Sequence, residues 1–175
     1  MKSYLVALNE LPPDGKEFDL TDQEIWTEPI QEFKMDCRIV KPMQAKIFVQ
    51  PADEGLLVRG EITGEVALPC NRCAEDAIAK IDSSFSEYED IPEENRSRQQ
   101  DGCIVYQMHA PMLNLAEVCW EQFMLAMPVQ PLCSDDCKGI CPTCGQNLNT
   151  GQCGCSQTAG DPRLAALRNV KVKKS

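Results

Sequence analysis

The sequence predicts an α+β fold: a curled antiparallel β meander or partial barrel with flanking helices, followed by a small cysteine-rich, zinc-binding C-terminal module. Three observations predict it. Leu56, Val58, Ile62, Val66 and Leu68 occupy one side of a two-residue alternation and Arg59, Glu61, Thr63 and Glu65 the other, as in a half-buried antiparallel strand. Asn114 and Glu117 form a capping-type start for a helix at about 115–127, with Leu115, Val118, Cys119, Phe123 and Ala126 on one face. Six cysteines then crowd between Cys133 and Cys155, where almost no apolar residue stands and buried area alone cannot fold the chain.

The remaining elements follow in chain order. Tyr4 to Leu8 is a short apolar segment, and Pro12, Pro13, Asp14 and Gly15 make a turn. Thr21 and Glu24 read as a capping box opening a short helix or turn through Trp26, interrupted by Pro29. Arg38 to Gln50 alternates through Ala45, Ile47 and Val49, and residues 51–55 supply the turn into the strongest strand. Gly60 and Gly64 lie on its apolar side, where a missing side chain permits a bulge or a sharp bend, hence the curl. Beyond the turn from Pro69 to Asp76, alternation resumes between Ile78 and Tyr88 through Ala79, Ile81 and Phe85. Glu89 to Asp101 is too polar to offset the entropy of ordering it and reads as a mobile loop, with the carboxylates of Glu87 to Glu94 as a solvated face. Ile104 to Met108 adds a strand, and Pro128 and Pro131 end the helix. The chain thus divides into a mainly β domain, residues 1–131, and an extension, residues 132–175. A short basic helix opens at Asp161 and Pro162 and runs through Leu164, Leu167 and Val170.

Composition narrows the function. The 175 residues are 43% apolar and 25% charged, enough for one real core, with a formal net charge of −10. That excess argues against broad electrostatic binding to nucleic acid or to anionic lipid. No run approaches the ~20 apolar residues of a bilayer span, and Tyr4 to Leu8 is short for a secretory segment, so the expectation is a cytoplasmic protein with no membrane partner.

Eight of the eleven cysteines fall in close pairs. Thiolates two to four positions apart on tight turns suit tetrahedral zinc, because the turn aims both sulfurs at one point about 2.3 Å away. Cys141-Pro-Thr-Cys144-Gly145 has the form of a zinc knuckle, its glycine permitting a left-handed bend. Disulfides fit poorly with an odd count and such short spacings. The simplest arrangement joins Cys141, Cys144, Cys153 and Cys155 in one site and Cys70, Cys73, Cys133 and Cys137 in a second. The alternative is one site drawn from the tail, with Cys70 and Cys73 free or a redox pair. Zinc, one or two ions, is the expected cofactor, and with four thiolates each the sites are structural, leaving no position for a catalytic water. Each such site adds two negative charges, which takes −10 to about −14. Cys37, Cys103 and Cys119 read as core residues. There is no nucleophile elbow, P-loop or H-E-x-x-H motif, and the lone His109 has no assigned base role, so neither an enzyme nor a small-molecule substrate is expected.

In order along the chain stand Cys70-Asn-Arg-Cys73, Asn114-Leu-Ala-Glu117, Met127-Pro-Val-Gln-Pro131, Cys137-Lys-Gly-Ile-Cys-Pro-Thr-Cys-Gly145, Asn147-Leu-Asn149 and Asp161-Pro-Arg163. This order resembles the bacterial YceD family from about Val58 onward, most specifically in the cysteine tail. The resemblance implies a role in accumulation of large-subunit ribosomal RNA, hence in ribosome assembly, with no enzymatic activity. It also implies genes often beside one for a zinc-ribbon large-subunit ribosomal protein, and a similar role in plastid relatives. Arg163, Arg168, Lys171, Lys173 and Lys174 form a basic island that can touch rRNA, joined by Arg72 and Lys138 if the cysteine pairs meet; the bland alternative is a solvated helix end. Two expectations follow: an adaptor whose acidic body docks a basic ribosomal or assembly protein, or an rRNA-binding factor proper. An adaptor unrelated to RNA and a thiol oxidoreductase using Cys70 and Cys73 are the alternatives.

Overall fold

The computed structural model describes residues 4–53, 55–92 and 102–155. The expected helix from Asp161, with Arg163, Arg168, Lys171, Lys173 and Lys174, lies outside them, as does most of the polar stretch after Asp90.

The architecture is α+β. Strand β1 (Leu5–Ala7) leads through a 3-10 turn at Leu8–Glu10 to β2 (Lys16–Leu20) and helix α1 (Glu24–Glu32). Three long strands follow, β3 (Arg38–Pro51), β4 (Gly55–Pro69) and β5 (Asp76–Asp90), then β6 (Ile104–Gln107), β7 (Ala110–Asn114) and helix α2 (Leu115–Ala126). The strands form two open antiparallel sheets, ordered β2-β3-β4-β5 and β1-β7-β6, rather than a closed barrel. Ile47, Val49, Val58, Ile62, Val66 and Ile81 from the larger sheet close one core with Leu113, Val118 and Phe123. Fully burying such a side chain is worth about 1.5–3 kcal/mol. Cys103 and Cys119 lie in this core and Cys37 packs half-buried against it. No helix among the described residues is long and apolar enough to cross a membrane.

β4 keeps unbroken register with β5 from Gly55 opposite Asp90 to Pro69 opposite Asp76. The bulges expected at its glycines lie instead on β3, which slips between Ile39 and Lys41 and again between Lys41 and Gln44. Each slip reverses the inward face and together they restore it, so Ile39 and Ala45 both point inward. The glycines of β4 make room for neighbours: a Cβ on Gly64 would stand 2.3 Å from the Met43 sulfur, and one on Gly60 would stand 2.7 Å from both the Lys46 carbonyl oxygen and the Phe85 ring.

Four readings need correction. The Thr21–Glu24 capping box does not form; Gln23 is the N-cap residue of α1 and has no side-chain capping bond. Its side chain serves the bulge, donating to the Met43 carbonyl at 2.8 Å and accepting from the Met43 N–H at 2.9 Å. Pro29 does not interrupt α1, because burial of Ile25, Trp26 and Ile30 offsets the one backbone bond that proline removes. Glu89 and Asp90 belong to β5, and Glu87 and Glu89 face inward, half-buried, rather than forming a solvated face. Strand β6 stops at Gln107, since Met108 and His109, with φ of 48° and 65°, close a two-residue hairpin onto β7.

Candidate metal centres

Two tight turns carry the first cysteines of each cluster, and they share one backbone pattern. In the β4–β5 turn the Cys70 N–H donates to the Glu75 carbonyl at 2.8 Å and the Ala74 N–H to the Cys70 carbonyl at 2.9 Å. In the tail the Cys141 N–H donates to the Gln146 carbonyl at 2.8 Å and the Gly145 N–H to the Cys141 carbonyl at 2.9 Å. The residue after the second cysteine is left-handed in both, Ala74 at φ 61° and Gly145 at φ 74°. These bonds turn both sulfurs of a pair to one side.

The chain after α2 folds back onto the first turn. The Asn71 N–H donates to the Pro131 carbonyl at 2.9 Å, and the Arg72 carbonyl accepts the Ile140 N–H at 3.1 Å. The Arg72 guanidinium donates to the carbonyls of Asp135, at 3.1 Å, and Cys137, at 2.9 Å. Cys133 and Cys137 are thereby held against Cys70 and Cys73. Their sulfurs approach at 3.8 Å for Cys70 and Cys137 and 3.5 Å for Cys73 and Cys133.

The structure therefore gathers Cys70, Cys73, Cys133 and Cys137 into one cluster and Cys141, Cys144, Cys153 and Cys155 into another. In each, all four sulfurs lie within 4.8 Å of one another. Four thiolates at 2.3 Å from a tetrahedral ion stand about 3.8 Å apart, so the donor set and its spacing fit such an ion. Electrostatics point the same way. The Cys133 backbone N–H, followed by those of Arg72 and Cys73, holds the Cys70 thiol down at about 6, and those of Cys144 and Thr143 do the same for Cys141, at about 6. Cys155, by contrast, is pushed up to about 12, first by its hydrogen bond with Cys144 and then by desolvation. Four sulfurs this close cannot all ionise unless a cation sits among them.

Asparagines bridge the two clusters, and cysteine spacing gives no sign of them. The Asn149 amide donates to the Cys137 sulfur at 3.3 Å while its oxygen accepts the Lys138 N–H at 2.7 Å. Asn147 reaches Glu75 at 3.4 Å, and the Leu148 N–H donates to the Gly139 carbonyl at 2.8 Å. Such contacts orient metal-binding thiolates. Of the residues expected to touch RNA, Arg72 spends its guanidinium on the chain itself, whereas the Lys138 side chain is exposed beside Cys137. Away from the clusters, burial pushes the Cys119 thiol up to about 12, and burial with Glu89 and Glu121 raises that of Cys103.

Comparison with known proteins adds a family. The family model described as "Large ribosomal RNA subunit accumulation protein YceD" matches residues 58–171. The Bacillus subtilis protein YlbN, which bears no functional description, is 24% identical over 177 residues, 97% of this chain and 96% of the relative. An uncharacterized protein of Mycobacterium tuberculosis is 26% identical over 119 residues, and the match spans 68% of this chain but only 57% of that relative. The chloroplastic "Large ribosomal RNA subunit accumulation protein YCED homolog 1" of Arabidopsis thaliana is 24% identical over 156 residues, 74% of this chain and 49% of the relative. No solved structure matches.

Proposed function

The chain belongs to the YceD family, and from that premise we propose that it is a non-enzymatic factor supporting accumulation of large-subunit ribosomal RNA during ribosome assembly. The family match over residues 58–171 carries this reading. In it, zinc is a structural cofactor at two sites, Cys141, Cys144, Cys153 and Cys155 in one, Cys70, Cys73, Cys133 and Cys137 in the other. Residues 132–175 act as an appended module, and the protein works in the cytoplasm. The net charge of −10 favours a basic ribosomal or assembly protein as the direct partner. Contacts to rRNA fall to Lys138 and to the basic residues from Arg163 onward.

Two measurements test this. Cells lacking the protein should accumulate less mature large-subunit rRNA relative to small-subunit rRNA. The wild-type chain should restore it, and Cys141→Ser with Cys144→Ser should not. Unchanged rRNA in the deletion would overturn the assembly role. Metal analysis of protein purified without added zinc should give near two equivalents per chain, and one equivalent would refute the two-site assignment.

A further inference from the structure

Helices α1 and α2 enclose a groove of about 580 Å³ that none of the cysteine chemistry uses. Its floor is apolar, and Phe33 and Trp120 stack at its mouth with ring centroids 5.9 Å apart and planes 16° apart. Phe33 is 63% exposed and, stacked with Trp120, extends the apolar lining of the groove to the surface as one contiguous patch. The rim is acidic. Glu24, Glu28 and Glu32 recur every four residues along α1, and Glu117 faces them from the first turn of α2. All four are exposed, and among the described residues no lysine or arginine lines the groove and no ion pair involves them. Like charges at this spacing repel along the helix, so nothing within the described fold compensates the row.

We propose that this groove is the docking site for a basic amphipathic segment of a partner protein, one that presents apolar side chains to the stacked Phe33 and Trp120 rings and the apolar floor behind them, and lysine or arginine to the four carboxylates. The proposal rests on the reading above in which the acidic body engages a basic protein, and it places that contact on α1 and α2, away from the cysteine clusters. Charge complementarity commits the groove to a cationic occupant, and the apolar floor separates a protein segment from an RNA backbone. Helix-in-groove recognition of this kind takes anchors at helical spacing, while the rim charges steer approach and confer salt dependence.

The test uses the full chain and a synthetic 15-residue peptide of leucine and lysine patterned as an amphipathic helix, beside a counterpart of equal charge with serine for leucine. Titration followed by NMR and calorimetry should show the leucine peptide binding and shifting the signals of Phe33 and Trp120, with the serine peptide at least about tenfold weaker. Glu28→Lys with Glu32→Lys should weaken binding about tenfold or more and leave circular dichroism unchanged, because both carboxylates are exposed. Equal affinity for the two peptides, indifference to the charge reversal, or shifts confined to other surfaces would overturn the proposal. So would a gain of binding on removing residues 161–175, since the chain's own basic end would then be the occupant. Peptide binding is read independently of rRNA levels, so failure here leaves the accumulation assay standing, and failure there leaves the groove measured.

Discussion

Gly139 and Gly145 both have φ of 74°, yet they differ in what surrounds them. A Cβ at Gly145 meets nothing within 4 Å, so Gly145→Ala costs only the left-handed backbone, about 1–2 kcal/mol. A Cβ at Gly139 stands 3.0 Å from the Arg72 carbonyl oxygen, the atom that also accepts the Ile140 N–H. Gly139→Ala therefore adds displacement of the tail from the first turn to the same backbone cost. It should surrender metal at a lower chelator concentration than Gly145→Ala, and both at a lower one than wild type; the reverse order would show that this contact does not hold the clusters. At this scale the cysteine pairs were legible because a turn of four residues is a local object. The grouping of pairs into sites was legible as the simpler of two arrangements, and the sulfurs gather that way, but the chain reversal after α2 that brings Cys137 to Cys70 was hidden. Ala74 was equally hidden: it adopts the conformation of Gly145, but alanine carries no signal for it.

Strand β5 buries charge on the inner face of the sheet. Burial raises the Glu87 carboxyl above its ordinary range, with Glu89 and Glu121 adding to it, and does the same for Glu89, there with Glu121 and Asp90. Glu87 accepts the Gln122 amide at 2.8 Å on one oxygen, and Cys103 lies 3.6 Å from Glu121 nearby. A carboxyl raised in the folded state binds its proton more tightly there than when unfolded. Its contribution to stability thus grows as pH falls through the folded pKa and is absent at neutral pH, where the charged form is penalised. Glu87→Gln keeps an acceptor for Gln122 and removes the charge. It should raise the melting temperature at pH 7, and the difference should shrink as pH is lowered toward 5; a gap independent of pH would assign the effect to packing. Elements were legible where one face is buried, as in β3, β4 and α2. β2, β7 and the full length of α1 were not. Each depends on a distant partner: β2 on β3, β7 on β1, and α1 on the Gln23 contact with Met43. The β6–β7 turn lacks the asparagine and glycine that usually announce a two-residue hairpin.

At the scale of the molecule, the buried apolar side chains of the described residues gather mainly into two clusters of different substance. The larger includes residues of both sheets and both helices and contains none of the eight clustered cysteines. The smaller comprises Cys70, Cys73, Ala77 and Cys137 with Leu132 packed beside them, too little apolar area to hold a fold. In a segment so poor in apolar groups, the structural zinc proposed above would supply on the order of 10 kcal/mol of folding free energy. The tail should depend on metal while the sheets do not. Chelation in the presence of a reductant should accelerate hydrogen exchange at the amides of Asn71, Ile140, Cys141 and Leu148, whose acceptors belong to the metal-site loops. Amides of β3 and β4 around Ile47 and Ile62 should keep their protection, since opening them requires exposing the larger core. Unchanged protection throughout would mean that the cysteine clusters hold themselves without an ion. Loss of protection throughout would mean that the two clusters form one cooperative unit, with the metal reaching the sheet through the β4–β5 turn.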